Sequence, residues 1–148
     1  MLSESARMSS AAEARFRVQA PNSIPRTVKI VALDSSAEAL ARRLALSSWQ
    51  HATFHSAESF SRNVEAEVAT ADLVVMVAGP GGTAHAAATI GAACSDRRVM
   101  TTALVVGASS ASDEALARTL AQVRPWSLMV VIANTDDYIA DLLTALRA

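Results

Sequence analysis

The chain has 148 residues, enough for one domain with a real core. Just over half of them (51%) are hydrophobic but only six are aromatic, so that core must be built mainly from Ala, Val and Leu. A formal charge of −1 and an isoelectric point near 6.3 exclude a general electrostatic attraction for nucleic acid or an anionic membrane. The single cysteine, Cys94, excludes an intramolecular disulfide framework, and no apolar run approaches the ~20 residues of a membrane-crossing helix. A cytoplasmic protein is expected, and a composition rich in Ala and Arg, with Lys29 the only lysine, matches GC-rich bacterial genomes.

Residues 1–26 have no sustained periodicity and no uninterrupted apolar stretch of the kind a secretory signal needs. Pro21 and Pro25 forbid a continuing helix there, so the segment reads as a flexible leader to a domain spanning residues 27–148. Val28–Leu33 is an apolar run of strand length. Ser35-Ser-Ala-Glu38 has the form of a capping box, and Leu40, Ala41 and Leu44 make a helical stripe behind it. Ala52–His55 is a short, weak strand. Phe60, Val64 and Val68 fall at i, i+4 and i+8, on one face of a second helix.

The segment Ala71–Ala93, ADLVVMVAGPGGTAHAAATIGAA, carries the most information. Its strand at Leu73–Ala78 runs into a glycine-rich turn, and a helix of small residues is expected from about Gly82. Val99–Val106 is the next strand, ended by Gly107. A helix then carries Leu116, Leu120 and Val123 on one face, is capped from Ser110–Ser112 and stops at Pro125. Leu128–Ala133 is the fifth strand, and Asp136–Arg147 closes the chain as a helix with Ile139, Leu142, Leu143 and Leu146 inward. Strand and helix alternate, and the strands are continuous apolar runs, as they are where both faces of a sheet are covered. The expected fold is a single α/β domain: a doubly wound, Rossmann- or flavodoxin-like three-layer sandwich with five mostly parallel strands in the order 2-1-3-4-5.

In such a sheet a glycine turn aims backbone N–H groups and a helix's positive end at the carboxyl edge of the strands, where anions bind. Gly79, Gly81, Gly82 and Thr83 are therefore candidates for a phosphate cradle, with His85 beside them as an anion contact or proton carrier. No carboxylate occurs between Gly79 and Ser95, so the turn is electrostatically open. The same glycines would equally serve a tight turn packed close against the sheet. At the first strand–helix junction, Asp34 and Glu38 occupy the place a phosphate would take, either as a helix cap or, for Asp34, as a contact to a ribose, metal or phosphoryl group. Asn134 follows the fifth strand at the same edge, placed to read a base or ribose or to cap the last helix.

Catalytic chemistry has little support. There is no G-x-S-x-G nucleophile elbow, and Cys94 lies deep in the small-residue helix, where a buried inert thiol is expected. His51, His55 and His85 are not spaced as a metal site. A phosphoaccepting receiver is excluded, because the third strand ends in Val77-Ala78-Gly79 rather than an aspartate and no lysine follows the fourth.

The segment ADLVVMVAGPGGTAHAAATIGAA resembles the strand, phosphate loop and helix of the bacterial division protein FtsZ and its tubulin relatives. VMTTALVVG resembles that family's next strand, PWSLMVVIANTDD its strand ending in Pro-Asn-Asp, and VKIVALDSSAEALARRL lies where the family has its first strand, glycine-rich loop and helix. The likeness covers roughly residues 27–142. It implies GTP or GDP as a candidate ligand of the phosphate loop at Gly79, Gly81, Gly82 and Thr83, while His85, Asp34 and Asn134 are candidates through their place at the same sheet edge. The departures are specific: Asp34-Ser35-Ser36-Ala37-Glu38 replaces the first glycine-rich loop, and Ala84-His85 stands where the phosphate loop continues as Thr-Gly. The long central helix, the second domain and the acidic loop that completes a neighbour's GTPase site have no counterpart in these 148 residues. The expectation is a small FtsZ-like domain without GTPase activity, which binds a nucleotide or other anion at Gly79–His85 or acts through contacts with a protein partner or a second copy of itself. The alternatives are a small enzyme with a pocket at the same sheet edge and a ligand-free interaction domain.

Overall fold

A computed structural model describes residues 24–135 and 137–148. The leader expected at residues 1–26 lies almost wholly outside the described residues, as does Asp136 of the last helix. Five strands form one sheet: β1 (Val28–Ala32), β2 (Ala52–Ser56), β3 (Leu73–Ala78), β4 (Met100–Val106) and β5 (Met129–Ala133). Every pairing is parallel and the order is β2-β1-β3-β4-β5, as the sequence leads one to expect. β1 is buried along its whole length and β3 from Val74 onward, which is why both read as unbroken apolar runs. The edge strands β2 and β5 are only partly covered.

The helices divide the core in two. On one face α1 (Ser35–Ala45) and α6 (Asp137–Ala145) bury Leu40, Ala41, Ile139 and Leu143 against Ile30, Val75 and Leu104. On the other, α2 (Ala57–Arg62), α3 (Val64–Ala69), α4 (Ala86–Asp96) and α5 (Asp113–Val123) pack Phe60, Val68, Ile90 and Val123 against Val31, Met76 and Val105. The face shared by Phe60, Val64 and Val68 is present, but its single helix is two short ones, broken at Asn63 where the backbone leaves helical geometry (φ −126°, ψ 37°). Cys94 is buried in α4, and burial pushes its thiol pKa up to about 11, so it is an inert packing group.

Two contacts tie the layers together. Gly91 of α4 lies against the 3₁₀ turn Arg124–Trp126, where a Cβ would stand 2.8 Å from the Trp126 carbonyl oxygen. On β1, the buried Lys29 ammonium donates to the Glu67 carbonyl (2.7 Å), the Glu67 carboxylate (2.8 Å) and the Thr70 hydroxyl (2.6 Å), tying the sheet to α3. Beside it His55 stacks edge-on against Phe60 with ring centres 5.3 Å apart.

Gly91→Ala separates packing from propensity. Helix propensity alone favours Ala by about 1 kcal/mol, whereas the backbone clash predicts a net loss of about 1–3 kcal/mol in urea unfolding; a stabilised variant would show that the α4–Trp126 contact is loose. Acid sensitivity is the second expectation. Burial is the main cause holding the His55 pKa below 6.5, with Glu67 opposing and Lys29 reinforcing it. The Lys29 hydrogen bond is the main cause holding Glu67 below 4.5. Both groups bind protons more weakly in the folded state, so stability is full above these unfolded values and falls as pH drops below them, first through His55 and then through Glu67. The urea midpoint should therefore decline as pH falls through the range just below 6.5, and His55→Gln should remove that first decline. An unchanged decline in the variant would assign it elsewhere.

Candidate functional site

The chain runs from β1 to β2 in one direction across the sheet and from β3 through β4 to β5 in the other. The carboxyl ends of β1 and β3 therefore flank the switch point, where open α/β sheets bind their ligands. Asp34 follows β1 and Gly79 follows β3, so the sequence candidates do converge there. What joins them is a direct hydrogen bond: the Gly79 N–H donates to Asp34 Oδ2 at 2.8 Å. The other carboxylate oxygen, Oδ1, accepts from the Ala37 N–H (2.9 Å) and the Ser36 hydroxyl (2.7 Å). Asp34 thus caps α1, the position the capping-box reading gave to Ser35, which is instead the first helical residue and exposed.

The glycines are required by this arrangement. A Cβ on Gly79 would collide with Ser36 Oγ, and one on Gly82 would stand 2.9 Å from the Asp34 carboxyl carbon. Gly81 has φ +83°, a left-handed conformation that glycine adopts without strain. Its N–H donates to Thr119 Oγ1 of α5 at 2.9 Å, and the Gly82 N–H turns back to the Gly79 carbonyl at 3.3 Å. The Ala84 N–H donates to Gln122 Oε1 at 2.8 Å. The N–H groups of Gly79, Gly81, Gly82 and Ala84 are occupied by the chain's own oxygens.

The remaining candidates are less closely engaged. Thr83 and His85 are exposed, and His85 makes no capping hydrogen bond. The turn does not open directly into a helix from Gly82: α4 starts at Ala86, and Thr83-Ala84-His85 is a connector whose buried Ala84 is pinned by Gln122. Asn134 Oδ1 accepts from the Ser109 N–H at 3.0 Å and joins the end of β5 to the turn after β4.

Thr119 and Gln122 are the two residues sequence reasoning missed. Their signal was a three-residue spacing on the same helix as the apolar stripe Leu116, Leu120 and Val123, with Thr119 fully buried and so obliged to find a partner. The cavity beside the switch point is about 160 Å³, lined by Ser36, Leu40, Arg43, Val77 and Gly79 among others, against the ~300–1,000 Å³ of ordinary ligand pockets. A larger one of about 430 Å³ lies at the opposite, amino-terminal edge of the sheet, between the end of α4 and the Trp126 turn. Among the described residues no three His, Cys, Asp or Glu side chains are grouped to hold a metal, and no helix is long and apolar enough to cross a membrane.

The described residues also carry seven exposed large hydrophobic side chains. Five of them, Met100, Trp126, Leu128, Met129 and Ile132, cluster on or beside β5. With this geometry in hand, the comparisons with known proteins add no family: no protein-family model matches the chain, and no curated protein matches its sequence.

The clasp gives a direct stability test. Asp34→Ala removes a helix cap and strands the Gly79 N–H, a loss of about 2–4 kcal/mol in urea unfolding. Ser35→Ala should stay within about 0.5 kcal/mol of the wild type. Equal effects at the two positions would return the cap to Ser35.

Proposed function

We propose that this is a small α/β interaction domain that resembles the FtsZ/tubulin nucleotide domain but has no GTPase chemistry, and that it acts through protein contacts rather than through a ligand at Gly79–His85. The observation that carries this reading is the Asp34 carboxylate on the Gly79 N–H. It is an anion already seated at the switch point. A phosphate brought there would meet a carboxylate of its own sign, and the next donors, at Gly81 and Ala84, would have to leave Thr119 and Gln122. Losing a buried hydrogen bond costs about 1–3 kcal/mol for each group left unpaired, so the closed loop disfavours nucleotide before any contact with base or ribose is considered.

Two further observations agree. The adjoining cavity is smaller than a nucleotide needs, and the exposed apolar side chains gather on the β5 margin, where contiguous exposed apolar surface marks a contact site. The small-enzyme alternative would use Asp34, His85 and Asn134 around one pocket. It loses ground because Asp34 and Asn134 are held by separate backbone partners and His85 is turned to solvent.

Calorimetric titration with GTP, GDP, ATP and inorganic phosphate, each with and without Mg²⁺, tests the reading. No saturable heat is expected at millimolar ligand. Saturable guanine-selective binding that is lost in Gly82→Asp would overturn the proposal and restore the loop as a nucleotide site.

A further inference from the structure

We propose that the partner at the β5 margin is a second copy of this chain, paired with it antiparallel along β5 about a two-fold axis beside Val130; this rests on the protein-contact reading above. Three features of the strand point to it. The first is its open backbone. The Ala133 carbonyl accepts from the Gly107 N–H at 2.9 Å, so Met129, Val131 and Ala133 turn their backbone groups towards β4. Val130 and Ile132, one residue out of phase, turn theirs outward and have no strand beside them among the described residues, while the N–H of Leu128, just before the strand, donates to the Thr101 carbonyl at 3.0 Å.

The second feature is lack of protection. Edge strands are ordinarily guarded by charges, proline or a bulge, yet from Pro125 to Thr135 the chain carries no charged residue, and Leu128, Met129 and Ile132 are 71, 48 and 47% exposed. Together with Trp126 these residues expose about 400 Å², their backbone included, half of the ~800 Å² per partner in a standard interface, before Val130 and Val131 are counted.

Charge is the third, and it selects the partner. The neutral stretch begins after Arg124, which is exposed, and ends at Thr135, before the acidic pair Asp136-Asp137, of which Asp137 is the exposed first residue of α6. Antiparallel pairing about Val130 brings Arg124 of each chain towards the Asp137 end of the other, opposite charges at both ends of a neutral seam. The same register sets Leu128 opposite Ile132 of the second copy on one face and Met129 opposite Val131 on the other. The pairing is isologous and closes at two, giving a continuous ten-stranded sheet. The other edge, β2, carries Thr53 and His55 instead, so it offers no comparable apolar margin.

The test is the mass of the full-length protein by sedimentation equilibrium up to about 100 μM, well above the micromolar Kd at the weak end for standard-size interfaces. The wild type is expected at twice the chain mass of 15.5 kDa. Leu128→Lys and Ile132→Glu, both at exposed positions, should each give a folded monomer with unchanged circular dichroism. The double variant L128K/I132E should dimerise again, because the register places each Lys opposite a Glu. A monomeric wild type, or single variants that remain dimeric, would overturn the proposal; monomeric single variants without rescue in the double would overturn this register. None of these outcomes alters the nucleotide titration, so failure of the dimer and failure of the protein-contact reading are told apart.

Discussion

One carboxylate organises the carboxyl edge of this sheet. Asp34 accepts from Ala37 and Ser36 at the start of α1 and from Gly79 at the end of β3, so a single side chain both caps a helix and closes the crevice between the two halves of the fold. The sequence around it follows from that role. Gly79 and Gly82 lack side chains because Ser36 and Asp34 occupy the space a Cβ would need. Gly81 makes a left-handed turn that lays the loop against α5, where Thr119 and Gln122 supply oxygens to the Gly81 and Ala84 N–H groups. A loop that looks like an anion cradle in one dimension is, in three, a clasp between β1, β3 and α5.

The consequence is a division of labour between the sheet's carboxyl end and its margin. At the carboxyl end the Asp34 carboxylate and the N–H groups of Gly79, Gly81, Gly82 and Ala84 find partners within the chain, and little room remains. The central strands are shielded by helices on both faces, and the Lys29–Glu67 pair ties β1 to α3 with donors and acceptors matched. What the described residues leave uncovered is the outer side of β5, a neutral apolar strip with an outward-facing backbone. Exposed apolar area of this kind is costly in water unless something covers it. The physical case for a binding surface is therefore stronger at the margin than at the glycines.

Legibility in the sequence followed range. The strands and their order could be read because five short apolar runs separated by helical stripes admit few other topologies. Leu73–Ala78 is recovered residue for residue, and each of the others differs by one residue at one end. The local errors came from competition between neighbours. Ser35 and Asp34 both suit a cap, and only the geometry at Gly79 decides between them. Asn63 breaks a helix whose apolar spacing continues across it. The small residues after Gly82 suggest helix, but the pull of Gln122 on Ala84 delays its start to Ala86. Long-range pairings were invisible: Lys29 with Glu67, Gly81 with Thr119 and Asp34 with Gly79 are 38 to 45 residues apart, and nothing in either member's surroundings names the other. The candidate residues at the loop were thus found, while the fact that they satisfy one another was not.

The central claim is that the glycine-loop donors are held by the chain itself, and amide hydrogen exchange at single residues reads this most directly. In the wild type, the Gly79, Gly81 and Ala84 amides should exchange slowly, in the manner of amides in β3, and Gly79 should lose its protection in Asp34→Ala while β3 keeps its own. Rapid exchange of all three in the wild type, at rates typical of an open loop, would contradict the account and reopen the loop as a seat for an external anion.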